Sequence, residues 1–220
     1  MMNLSNFFGG LIQRFPLTNF IEYFFSGKRI LWGGTIMFHM ERNIGYEIVI
    51  HLLESDNHPR RIAKDLEVPH TTVIRRLKDL YDMNVVDFRE EGRNKVFYLE
   101  ETLEARSFII SAEIYKFTKT LDLYPRLRPL FNGIIRDDRI HMAILFGSYA
   151  RWAPTYKSDI DIFIETKDRD IKTGVEKLQS RVSVKIGDFD RSSDLVREIK
   201  SNHVIIKGFE DYVGKTRVLQ

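Results

Sequence analysis

The stretch 145–164, LFGSYARWAPTYKSDIDIFI, decides how the C-terminal half of this chain is read. Upstream of it, RIHMAILFGS is apolar at Ile140 and from Met142 to Phe146, the pattern of a strand buried on both faces that ends at Gly147. Gly147 permits a sharp bend and close approach of a ligand. Ser148 is placed to cap a helix beginning at YARW, whose free N–H groups would favour an anion. Eleven residues after the serine, SDIDIFIET alternates, with Asp159, Asp161, Phe163 and Glu165 on one face and Ile160, Ile162 and Ile164 on the other. The isoleucines are expected inward. If the two strands are neighbours in one sheet, Asp159 and Asp161 project beside the Gly-Ser turn, where they repel one another. A bound Mg²⁺ removes that repulsion and offers its open positions to phosphate oxygens. Carboxylates, metal and a phosphate-holding turn together make a site for phosphoryl or nucleotidyl transfer.

GSYAR followed by SDID resembles the signature of the minimal nucleotidyltransferases of the polymerase-β superfamily, over roughly residues 125–220. The resemblance implies an α/β domain with a mixed sheet at 139–220. It also implies catalytic, Mg²⁺-binding carboxylates at Asp159 and Asp161, and a nucleoside triphosphate held by Gly147 and Ser148 with help from Arg151. Two departures bear on activity. That family usually has glycine where this chain has Trp152, either a base-stacking surface or an obstruction. Active members also place a third carboxylate on a later strand, whereas RVSVKIGDF carries Ser183 and Lys185 on its polar face, and a lysine there would compete with metal for the aspartates. Small members with a weakened third position include antitoxins that act beside a helical toxin subunit. A toxin partner for a catalytically inactive scaffold is therefore the alternative to an active Mg-dependent enzyme that modifies a protein or small molecule.

Working outward, GYEIVIHLLES reads as a helix with Ile48, Ile50, Leu52 and Leu53 toward a core, and RRIAKDLEV as a short second helix. In PHTTVIRRLKDLYDM, Pro69 suits a first helical turn and Thr71 or Thr72 a cap, while Val73, Leu77, Leu80 and Tyr81 form one buried stripe. VVDFRE and KVFYLE flank EGRN, a hairpin with Gly92 at its tip. Helix, helix, helix, hairpin over 41–100 resembles the winged helix-turn-helix regulators. That likeness assigns double-stranded DNA contacts to Thr71, Thr72, Arg75 and Arg76 on the reading helix, and to Arg93 and Lys95 on the wing. The turn often carries glycine where this chain has Glu67. Ten Lys and Arg against twelve Asp and Glu make 41–100 slightly acidic, yet 60–78 holds six basic residues against two acidic ones, the local patch that phosphate contact needs.

The fold class is therefore α+β: a winged helix-turn-helix unit, a helical connector over 101–138, and the nucleotidyltransferase-like domain. In LEARSFIISAEIYKFTKTLDLY, Phe108, Ile109, Ile110, Ile114, Tyr115, Phe117 and Leu121 cover too many faces for a free surface helix. The sequence reading packs it on the other domain or on a twin, and favours a homodimer. RLRPLFNGIIRDD reads as a short helix, and SSDLVREIKSNHVIIKGFEDYV as a helix and terminal strand with Phe209 and Tyr212 in the core. Residues 1–40 form an extension that fits neither a signal peptide nor an amphipathic helix, and Met37 or Met40 is an alternative start. The net charge of +3 decides nothing about partners. The lack of cysteine excludes disulfides, thiolate zinc sites and a cysteine nucleophile, and it suits a cytoplasmic protein. No apolar run approaches the roughly 18 residues of a membrane span.

Overall fold

A computed structural model of the chain describes residues 29–32, 35–38 and 41–216. Two compact units result, Met1–Arg42 and Asn43–Gln220. In the first, β1 (Arg29–Trp32) pairs antiparallel with β2 (Thr35–Phe38). The rest of the expected extension, with the alternative start at Met40, lies outside the described residues.

The second unit opens with α1 (Ile44–Glu54), α2 (Pro59–Asp65) and α3 (His70–Asp82), followed by the hairpin of β3 (Val86–Glu91) and β4 (Asn94–Leu99). This is the winged helix order. Asn43 caps α1 by accepting from the Tyr46 N–H, and His58 caps α2 by accepting from Arg61. The cap expected at α3 is absent: Pro69 precedes that helix, and neither Thr71 nor Thr72 closes it. Val73, Leu77 and Leu80 are buried with Ile48, Val49, Leu52 and Ile62, while Tyr81, expected in the stripe, is 46% exposed. Its ring lies 5.8 Å from that of Phe88 on the wing. Glu67 adopts φ +53° in the turn between α2 and α3, the left-handed conformation that explains why glycine suits this place.

The connector α4 (Leu103–Leu123), capped by Thr102, belongs to two cores. Its first half buries Ala105, Ile109 and Ala112 with the winged helix, and its second half lays Phe117 and Leu121 against the sheet domain. The apolar excess of this helix is thus covered in large part within its own chain, and no second copy is needed to explain it.

A 3₁₀ turn at Pro125–Leu127 and α5 (Arg128–Arg136) lead to β5 (Ala143–Phe146), α6 (Gly147–Ala150), β6 (Ile160–Glu165), α7 (Arg169–Glu176), β7 (Val182–Gly187), α8 (Asp194–Ser201), β8 (His203–Lys207) and α9 (Phe209–Thr216). The sheet order is β7-β6-β5-β8, with β5 antiparallel to both neighbours and β6 parallel to β7. It is a mixed sheet, as expected. Ile160, Ile162 and Ile164 face a core with Leu130, Phe131 and Ile134 of α5. The opposite face is covered too: Phe163 is buried with Phe146, Val196, Ile199 and Tyr212. After β8, where the sequence pattern predicts only a terminal strand, a further helix, α9, buries Tyr212 and Val213. Among the described residues no helix is long and apolar enough to cross a membrane.

Candidate functional site

The register of β5 against β6 sets Phe146 opposite Asp161, so the bend that follows Phe146 falls beside that aspartate. Gly147 has φ +70°, and a Cβ built on it would stand 2.7 Å from Asp161 Oδ2. Only glycine lets carboxylate and turn meet so closely. Asp159 is exposed just before β6, and Asp161 is half-buried. Burial raises the Asp161 carboxyl above its ordinary range, and the negative charges of Asp159 and Glu198 raise it further, while Lys185 and Arg151 pull it back. The pair is an underneutralised acidic site.

Ser148 does not cap a helix. The helix after the bend, α6, is a single turn with Phe146 at its N-cap and no side-chain cap bond, so it is too short to supply an appreciable helix dipole. Arg151 closes that turn and is exposed. In the next strand Ser183 is the direct partner of Asp161 and Lys185 is the partner of Phe163. Ser183 therefore occupies the position beside the aspartate, and Lys185 sits one step along. The carboxylate that sequence reasoning missed is Glu198 on α8, whose charge reaches Asp161 from a helix and not from a strand. Nothing in a strand alternation marks it.

Trp152 has φ +54°, again the left-handed region in which glycine is at ease. Its indole Nε1–H donates to Thr120 Oγ1 on α4 at 3.0 Å, and the Lys119 ammonium lies 4.5 Å above the ring. Lys119 also pairs with Glu47 Oε1 of α1 at 3.0 Å, and the Tyr115 hydroxyl donates to the same oxygen at 3.1 Å. Trp152 is thus bound to the connector, and through it to the winged helix, instead of standing free as a stacking platform.

On the winged helix, Thr71, Arg75 and Arg76 are exposed and Thr72 is half-buried. Arg76 is engaged with Asp79 at 3.1 Å. Arg93 and Lys95 of the wing are exposed, and the Lys95 ammonium lies 3.7 Å above the Phe88 ring. These two wing residues line a cavity of about 850 Å³ between α3 and the wing, together with Arg60, His70, Lys78 and Tyr81. Thr71, Thr72, Arg75 and Arg76 do not line it. Of the lining residues, His70, Ile74 and Lys78 share one face of α3, recurring at i, i+4 and i+8.

A winged helix joined through one long helix to a mixed sheet with an aspartate lodged at a glycine bend defines the class: a regulator-like chain carrying a nucleotidyltransferase-type domain. Residues 131–210 match the family described as Polymerase beta, Nucleotidyltransferase. Over 67 residues, 30% of the chain, it is 34% identical to an uncharacterized HTH-type transcriptional regulator of Methanocaldococcus jannaschii, of which it covers 17%. The chain thus spans about a sixth of the length of that relative. Among solved structures it is similar to the adhesin competence repressor AdcR of Streptococcus pyogenes, at 21% identity and a TM-score of 0.33, covering 39% of this chain and 64% of the other. It is also similar to the E41A mutant of ZitR from Lactococcus lactis, at 19% identity and a TM-score of 0.35, covering 58% and 84%. The winged helix assignment rests on the chain's own element order and packing.

Proposed function

We propose that this chain is a DNA-binding regulator whose C-terminal domain binds a nucleoside triphosphate together with Mg²⁺. Asp161 lodged against Gly147 is the observation that carries the reading. Mg²⁺ is ordinarily held by one or two carboxylates while waters and phosphate oxygens complete its shell, so an underneutralised pair fits it. Asp159 and Asp161 would hold the ion, and Gly147, Ser148 and Arg151 the phosphates. When bound, the ion neutralises charge on the phosphates and polarises them as a Lewis acid. Gly147 keeps Cβ bulk away from the carboxylate, Arg151 supplies positive charge at the same place, and Lys119 and Thr120 hold the Trp152 loop. Isothermal titration with Mg-ATP is expected to give saturable heat with the natural chain, and at least about tenfold weaker binding with Asp159→Asn, Asp161→Asn, the loss of two charge-assisted contacts. Absence of heat with the natural chain refutes the nucleotide reading.

The second reading keeps the fold and drops the transfer, leaving a repressor or antitoxin scaffold. It is favoured by Ser183, a hydroxyl with no basic character, at the place beside Asp161 where a third carboxylate would accept the attacking group's proton. Labelled ATP that binds and is never consumed, with cell extract present, would select it. Thr71, Thr72, Arg75 and Arg76 would face the duplex and Arg93 and Lys95 its phosphates, with homodimeric pairing on the DNA. Arg75→Ala and Arg93→Ala are each expected to lower the salt-dependence slope of DNA affinity by about 1 if they touch phosphate. Unchanged slopes in both variants would remove those residues from the interface.

A further inference from the structure

Asp161 is on one face of the sheet, and on the other face of the same sheet end there is a small basic pit that the nucleotide reading does not use. The pairing of Ile160 with Val182 brings the segment before β6 to the segment before β7. Between them opens a cavity of about 220 Å³ whose lining includes Arg126, Tyr149, Ser158, Gln179, Ser180 and Arg181. No carboxylate lines it. The Arg126 guanidinium lies 5.2 Å over the Tyr149 ring, and Arg181 donates to the Tyr156 carbonyl, so each arginine has a neutral partner. Among the described residues, neither guanidinium is within salt-bridge distance of an acid. Two cations left uncompensated in one pit repel each other and attract an anion. Arg181 also has φ +62°, a left-handed backbone that non-glycine residues seldom adopt and that tends to persist where a site needs it. Gln179 keeps a buried Oε1 with no donor. That oxygen would be satisfied by the O–H of a protonated phosphate, or by amide reversal.

We propose that this pit is a phosphate-binding site. Its volume is below the roughly 300–1,000 Å³ of sites that enclose a whole small molecule, so it takes a phosphate group and not a nucleoside. The guanidinium pair supplies forked N–H donors and the Ser180 hydroxyl another, while Ser158 Oγ accepts from the Thr155 N–H at 2.8 Å and lines the rim. Two sources share this chemistry: a phosphate of the nucleotide bound at the same sheet end, which rests on the reading above, or the phosphate of a separate ligand.

The test is amide chemical-shift mapping on the full chain, with inorganic phosphate, with Mg-ATP, and with chloride at matched ionic strength. Inorganic phosphate is expected to move the Ser180 and Arg181 amides saturably while chloride does not. Arg126→Gln is expected to weaken that response about tenfold, the loss of one charge-assisted contact, without lowering the melting temperature. Movement of the pit amides by Mg-ATP together with Gly147 and Ser148 assigns the pit to the nucleotide. Movement by inorganic phosphate alone assigns it to a separate phosphate ligand. Pit amides that stay still with both, that move equally with chloride, or that respond unchanged in Arg126→Gln overturn the proposal. Stationary Gly147 and Ser148 amides with Mg-ATP would sink the nucleotide reading and leave the pit standing.

Discussion

Gly147→Ala is expected to weaken Mg-ATP binding by well over tenfold and to lower the melting temperature at the same time. The added Cβ would meet Asp161 Oδ2 at 2.7 Å and Cγ at 3.4 Å, so the carboxylate must leave its place. At φ +70° the alanine also carries the left-handed penalty, about 1–2 kcal/mol. For a chain of this size that corresponds to about 2–8 °C in Tm. Ser148→Ala removes a hydroxyl from the same turn without adding bulk near Asp161, and it separates loss of a phosphate contact from loss of the bend. It is expected to leave Tm unchanged and to cost less affinity than Gly147→Ala. Thermal melts and titration calorimetry on the two variants read both quantities. Wild-type affinity in Gly147→Ala would mean that Asp161 does not sit in the binding geometry at all.

That pairing of turn and aspartate was legible because a period of two is a hard constraint: once Ile160, Ile162 and Ile164 are inward, Asp161 is outward beside the end of β5. The winged helix order was legible for the same kind of reason, since Val73, Leu77 and Leu80 mark one helix face. What escaped depends on tertiary placement. Phe163 shares the outward face with Asp161, yet it is buried, because α8 and α9 cover that side. The one-turn length of α6 removed the cap assigned to Ser148, and no residue pattern announces where so short a helix stops. Glu198 and the pit arginines come from segments remote in sequence that meet only at the end of the sheet. Glu67 and Trp152 departed from the expected glycines, and both keep the left-handed backbone that glycine would have adopted freely. For Trp152 the indole bond to Thr120 and the overlying Lys119 offset that cost, and they tie the loop after the bend to the helix that also braces the winged helix.

His203→Leu is expected to cost about 3–5 kcal/mol, the loss when a buried polar pair is broken from one side. His203 is on β8, and its Nε2 lies 3.3 Å from Glu113 Oε1 of α4 while the Tyr212 hydroxyl of α9 stands 3.2 Å from Nδ1. Glu113 is 1% exposed, and neither of its oxygens has a hydrogen bond of good geometry, so the charge of Lys116 and the adjoining His203 ring together keep this carboxylate tolerable. Burial pushes the Glu113 carboxyl up, but Lys116 and His203 outweigh it and hold it down to about 2. Burial, with Lys116, holds the His203 imidazole below its ordinary range. Both depressions act in one direction. Below about pH 6.5 the unfolded chain takes a proton on His203 that the folded chain refuses, and below about 4.5 the unfolded chain also protonates Glu113 first, so stability falls on acidification through both windows. In His203→Leu the loss that begins near pH 6.5 should vanish, with the protein uniformly weaker at neutral pH. Glu113→Leu, His203→Leu together should recover much of that stability, because two apolar groups in place of a buried polar pair leave no stranded charge. Melting curves from pH 7.5 to 4 on the three proteins decide it. A double variant no more stable than His203→Leu, or a natural chain whose Tm is flat below pH 6.5, would show that the two helices and one strand meeting here are held by apolar packing alone.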